Sequence, residues 1–99
     1  MKHNDGIDDS TRNKIIGLLK VLFPQGTIYL FGSRAKGTFA QYSDIDLAID
    51  EGKEIDSTRI DEARNMLNET NIIYLIDVVD MHQDERLKKI IEKEGIRWT

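Results

Sequence analysis

Apolar positions change their period several times along the chain, and each change marks an element. Ile15, Leu18, Leu19 and Leu22 recur at intervals of three and four, with Ile16 and Phe23 widening the stripe. That spacing predicts an amphipathic helix over Thr11 to Phe23. Asp8, Asp9 and Ser10 offer it N-caps and first-turn negative charge, and Pro24-Gln25-Gly26 ends it. Thr27 to Phe31 is β-branched and aromatic without polar alternation, the pattern of a central strand covered on both faces. Gly32-Ser33 then turns the chain, Arg34 to Gly37 suits a short helical turn, and Phe39 to Ser43 reads as loop. From Asp44 to Ile49 the pattern alternates. Asp44, Asp46 and Ala48 share one face of a strand, and Ile45, Leu47 and Ile49 face the core. After the polar break Asp50 to Glu54, Asp56 or Ser57 caps a helix near Thr58 to Asn68 with Ile60, Ala63 and Leu67 inward. Ile72 to Val79 predicts a third strand, interrupted by Asp77. Gln83 to Glu94 predicts a last helix with Leu87, Ile90 and Ile91 inward, stopped by Gly95 at C′. Ile96 to Thr99 is too short to classify.

The order α-β-α-β-α-β-α implies an α/β (α+β) fold, a small mixed sheet packed by helices, with strand directions left open by periodicity. At 99 residues the chain is expected to form a single domain, 1–99, with residues 1–7 flexible. A formal charge of −4 disfavours non-specific binding to a nucleic-acid backbone, so direct nucleic-acid binding is not expected. Absent cysteine excludes disulfides and thiolate chemistry. No apolar h-region opens the chain and no run reaches membrane-spanning length, so a soluble, cytoplasmic protein without membrane contact is expected. A homo-oligomer remains open.

The stretch with chemistry in it runs from Gly32 to Asp46. A Gly-Ser turn presents backbone N–H groups with little steric obstruction, and a helix starting there adds the positive end of its dipole. Both favour an anion such as a triphosphate. Two carboxylates side by side about 4 Å apart repel by roughly 4 kcal/mol at an effective dielectric of about 20. Asp44 and Asp46 therefore need a positive partner, or one must take up a proton. A hard cation such as Mg²⁺, shared with phosphate oxygens, meets that need. Asp77 is a charge inside an apolar strand, expensive unless paired or metal-bound. If its strand lies beside that of Asp44 and Asp46, Asp77 joins the same cluster. Asp80 competes for that role, but lies three residues on and faces the other side of an ideal strand, so alternation favours Asp77.

Gly32-Ser33, a ten-residue spacer and Asp44-x-Asp46 together resemble the signature of the DNA polymerase β-like nucleotidyltransferases. Within them the chain is most similar to the minimal nucleotidyltransferase (MNT) family, the antitoxin half of HEPN/MNT toxin–antitoxin pairs. The resemblance implies a nucleotidyltransferase-like fold with a third carboxylate on a neighbouring strand. It implies that Asp44, Asp46 and Asp77 hold two Mg²⁺ ions, with Asp77 nearer the acceptor hydroxyl, and that ATP is the substrate. It implies AMP transfer to a tyrosine of a cognate HEPN toxin. Gly32, Ser33 and Arg34 are the expected contacts to the triphosphate.

Other readings of the same residues are plainer. Arg34 or Lys36 could neutralise Asp44 and Asp46 in a surface ion pair, and Gly32-Ser33 alone would be an ordinary turn. Gly32 and Gly37 match the outer glycines of a P-loop, but Thr38-Phe39 stands where Lys-Ser/Thr is required. Asp44-x-Asp46 resembles an EF-hand start, yet Ala48 occupies a ligand position. His3 and His82 lack metal-like spacing and are expected to be solvated. Trp98 and Tyr29 are expected to pack, while Tyr42 has a better claim on a ligand. Two functions compete with transfer: an antitoxin that neutralises by occlusion, and a regulatory nucleotide sensor.

Overall fold

The computed structural model describes residues 4–99, so His3 lies outside the described residues. Helix α1 spans Asp9–Leu22 and is capped by Asp8, whose carboxylate accepts from the Thr11 N–H. Strand β1 is Thr27–Phe31, the single-turn helix α2 is Ser33–Lys36 and β2 is Ile45–Asp50. Helix α3, Ser57–Asn68, takes its cap from Asp56. Strand β3 is Ile76–Asp80, α4 is Glu85–Glu94 and β4 is Ile96–Arg97. The expected succession is present, with β4 added at its end.

The sheet has the order β3-β2-β1-β4. Strand β2 runs antiparallel to β1 and parallel to β3, and β4 is antiparallel to β1. The mixed sheet follows from the connections: a loop and one helical turn join β1 to β2, whereas α3 carries the chain back to start β3 parallel to β2. One face holds Ile28, Leu30, Ile45, Leu47, Ile49, Ile76 and Val78, all buried, packed with Ile15 and Leu19 of α1 and Ile60, Ala63 and Leu67 of α3. The opposite face is covered only in part, where Ile91 and Leu87 of α4 meet Ala48, Tyr29, Phe31 and Val79. Strand β1 is central, as its composition implies, but its burial alternates, because only one face is fully covered. The half-open face carries Asp46 and Asp77.

Several boundaries differ from expectation. Residues 72–75 are not strand; Ile73 lies on a bend and Leu75 just after it, both exposed, so apolar content there does not report burial. Helix α4 starts at Glu85 because Asp84 caps it, accepting from the Leu87 N–H at 2.7 Å. Ile90 points outward rather than into the core. Gly95 ends α4 without a left-handed turn (φ −70°), and a Cβ there would meet the Ile91 carbonyl oxygen at 2.5 Å. His82 is not solvated. Its Nε2 lies 2.7 Å from Asp50 Oδ1, because β2 ends facing the loop that carries His82. Of the segment expected to be flexible, Asp5 and Ile7 are buried, and Asp5 pairs with Arg12 at 3.2 Å. Tyr29 and Trp98 pack, Trp98 beneath the Arg12 guanidinium.

Candidate active site

Parallel pairing of β2 with β3 sets Asp46 directly opposite Asp77. Direct neighbours in adjacent strands point to the same face, so both carboxylates lie on the half-open side of the sheet. Asp44 stands one residue before β2, exposed at the same end. Burial pushes the Asp46 carboxyl above its ordinary range, and the charges of Asp77 and then Asp44 push it the same way. Like charge is thus concentrated here. The neutral reading of Asp44 and Asp46 finds no support in the geometry. Lys36 instead reaches Glu94 at 3.5 Å, and among the described residues no cation forms an ion pair with Asp44 or Asp46.

Asp80 sits on the other face and is buried. Its Oδ2 accepts from the Ile55 N–H at 2.8 Å and its Oδ1 from the His82 N–H at 2.9 Å. Those bonds give it a structural task, tying the entrance of α3 and the loop after β3 to the sheet.

Gly32 is forced by two constraints at once. Its φ of +76° with ψ of −155° lies in a region essentially reserved for glycine. A Cβ on it would stand 2.4 Å from Asp46 Oδ2, so the turn and the carboxylate are in immediate contact. As N-cap of α2, Gly32 brings no capping side chain to the amide end of that turn, where Ser33 begins it. Gly32→Ala is therefore expected to cost about 1–3 kcal/mol from the backbone alone and to push the Asp46 carboxylate aside. A thermal melt checks this: Tm should fall by at least about 4 °C for a domain of this size, and an unchanged Tm would remove the constraint.

Arg34 corrects an expectation. Rather than reaching for phosphate, its side chain is buried, 1% exposed. Its Nε and NH2 nitrogens donate to the Ser43 carbonyl at 3.1 and 2.9 Å, and NH1 donates to the Asp5 carbonyl at 2.8 Å. The guanidinium also sits between the rings of Phe39 and Tyr74, 5.0 and 4.5 Å from their centroids. It clamps the 39–43 loop, and so fixes where Asp44 emerges.

Arg64 was not singled out from the sequence. Its Nε donates to Asp77 Oδ1 at 2.9 Å from α3. A faint signal existed: Arg64 and Asn68 are polar residues four apart beside the buried stripe of α3, and both reach the backbone of β3.

Comparison with known proteins places this arrangement. A protein of Haemophilus influenzae named probable protein adenylyltransferase MntA is 34% identical over 77 residues, covering 77% of this chain and 68% of that one. A chain from a crystal structure of a toxin–antitoxin with AMP-PNP superposes with a TM-score of 0.74 at 32% identity, covering 87% of this chain and 70% of that one. A chain from the complex of tri-AMPylated Shewanella oneidensis HEPN toxin with MNT antitoxin gives a TM-score of 0.71 at 29% identity, over 92% of this chain and 71% of that one. Residues 13–97 match the Polymerase beta, Nucleotidyltransferase family. With that match spanning β1 through β4 and enclosing the whole carboxylate cluster, the chain belongs to the polymerase beta nucleotidyltransferase family, as one of its minimal nucleotidyltransferases.

Proposed function

We propose that this protein transfers AMP from ATP to a tyrosine hydroxyl of a HEPN-type toxin, and by that modification acts as its antitoxin. The observation that carries the reading is the concentration of Asp46, Asp77 and Asp44 on an open sheet face against the Gly32 turn. An all-carboxylate donor set suits a hard divalent cation, and the Asp46 carboxyl is pushed up first by burial and then by the charges of Asp77 and Asp44. Asp44, Asp46 and Asp77 are the residues that would hold Mg²⁺, two ions by the family analogy. Bound there, Mg²⁺ would supply neutralisation of the triphosphate charge.

The rest is done by the chain. Gly32 and Ser33 accommodate the triphosphate, because a residue without a side chain lets phosphate approach the backbone. The acceptor oxygen bonds to the α-phosphorus as the α–β bridging P–O bond breaks and pyrophosphate leaves. Asp77, on the exposed edge strand, orients the hydroxyl and takes its proton. Positioning and charge neutralisation account for most of the acceleration expected in such a transfer.

A partner surface lies alongside. Tyr42, Ile73 and Leu75 are 68%, 73% and 67% exposed. Tyr42 precedes Asp44 by two residues and Leu75 precedes Asp77 by two, and the Leu75 carbonyl accepts from the Ile45 N–H at 2.9 Å. Large apolar side chains left open beside acidic ones suit a protein surface that is apolar with basic margins. Leu75→Glu is expected to weaken toxin binding on the order of tenfold, while Val21→Glu on α1 leaves it unchanged; calorimetric titration reads both. The same rim favours neutralisation by occlusion as a second reading, and binding and transfer can coexist.

The test uses purified protein, toxin, Mg²⁺ and each of the four nucleoside triphosphates in turn, read by intact mass of the toxin. Added mass of AMP with ATP, abolished by EDTA, is the expected result. A toxin that stays unmodified with every triphosphate, although bound, would overturn the reading.

A further inference from the structure

We infer that Arg64 is a positioning residue that latches the third carboxylate, occupying one oxygen of Asp77 until a divalent cation takes it over. The inference rests on the metal site of the function proposed above.

Asp46 and Asp77 are direct neighbours on one face of the sheet. Side chains so placed are close enough to share a cation. Yet among the described residues no three carboxylate or imidazole groups converge into a metal-binding cluster. One oxygen of Asp77 is instead engaged from α3, by Arg64. Three separate bonds fix that guanidinium: Nε to Asp77 Oδ1 at 2.9 Å, NH2 to the Val78 carbonyl at 2.8 Å and NH1 to Asp61 Oδ1 at 3.0 Å. Two of the three do not involve Asp77. Arg64 therefore keeps its place when Asp77 leaves, and can recapture it afterwards.

Water reaches both partners, since the side chains are 38% and 49% exposed. An exposed pair is weak enough to exchange for a stronger ligand, which makes it a latch rather than a permanent brace. Asp77 has two stations. On Arg64 its charge is offset and its repulsion of Asp46 is reduced; on a cation it completes the cluster. Arg64 thus lowers the affinity of the empty site for divalent metal, and the metal must displace one hydrogen bond to bind.

The experiment measures Mn²⁺ binding to the full chain by the electron paramagnetic resonance signal of free Mn²⁺, with no nucleotide or toxin present. Compared are wild type, Arg64→Met, Asp77→Asn and the double variant, each checked for folding by circular dichroism. Arg64→Met is expected to bind Mn²⁺ about three- to tenfold more tightly than wild type. Asp77→Asn should bind more weakly, and adding Arg64→Met to it should change nothing further. Arg64→Gln retains a donor for the Val78 carbonyl and carries the same expectation if the methionine variant fails to fold. A folded Arg64 variant that binds Mn²⁺ no better than wild type overturns the latch. So does an effect of Arg64 that persists without Asp77, which a merely structural role would produce. If wild type binds no Mn²⁺ at all, the metal site itself fails, and the latch with it.

Discussion

Asp46→Asn is expected to abolish AMP transfer and at the same time yield a more stable protein. The carboxylate of Asp46 is half-buried, faces Asp77 and Asp44, and has its pKa raised by all three circumstances. The sign follows from linkage. A carboxyl whose pKa is higher in the folded state favours folding below its unfolded value of about 3.9, and loses that contribution as pH rises through the folded value. At neutral pH the ionised Asp46 therefore costs stability. Asparagine keeps the shape and removes the charge, for an expected gain of about 0.5 kcal/mol after discounting for solvent screening, or about 2–4 °C in Tm. The gain should shrink toward zero below about pH 4, where the native side chain is itself neutral. Transfer should fall on the order of a thousandfold or more, because a group acting as one unit with its neighbours has been removed. Paired melts at pH 7 and at acid pH, with a transfer assay, check both halves. A destabilised variant that retains activity would make Asp46 a structural residue.

Arg34→Met carries the largest expected loss of stability. It removes a buried cation from the Ser43 and Asp5 carbonyls and from between two rings. Hydrogen bonds from a charged donor contribute about 1.5–3 kcal/mol each, and several are lost together, so a cost of at least about 3 kcal/mol is expected. Against a total stability of about 5–15 kcal/mol for a domain, that means a fall in Tm of at least about 12 °C. Arg34→Lys should rescue little, since an ammonium cannot reproduce the planar fork. Chemical denaturation measures the loss. A phosphate-binding Arg34 would behave in the opposite way, with unchanged stability and weaker use of ATP.

Arg34 and Asp46 also mark what could be read from the chain alone. The Asp-x-Asp pair stood out because its spacing is local, although the strand expected from Asp44 begins at Ile45 and only Asp46 lies within β2. Asp77 stood out as a charge within an apolar run, and alternation separated it from Asp80, which the structure places on the opposite face. Arg34 misled because its partners are distant in sequence. Nothing near residue 34 announces that the Asp5 carbonyl and the Tyr74 ring will meet there. Ile73 and Leu75 were read as strand because periodicity treats an apolar residue that faces water as core. Strand β4 exists only through its bonds to β1, including Trp98 N–H to the Ile28 carbonyl at 2.8 Å, and a strand so short has no pattern of its own. Arg64 escaped for a related reason. An arginine on a helix surface is ordinary until the strand it leans on is known.

The most direct measurement is the intact mass of the toxin that co-purifies after co-expression with wild type, with Asp46→Asn and with Asp77→Asn. A nucleotide-sized increment present with wild type and absent with both variants is the result this account predicts. An unmodified toxin, bound equally well by all three proteins, would contradict it and leave an antitoxin that acts by occlusion.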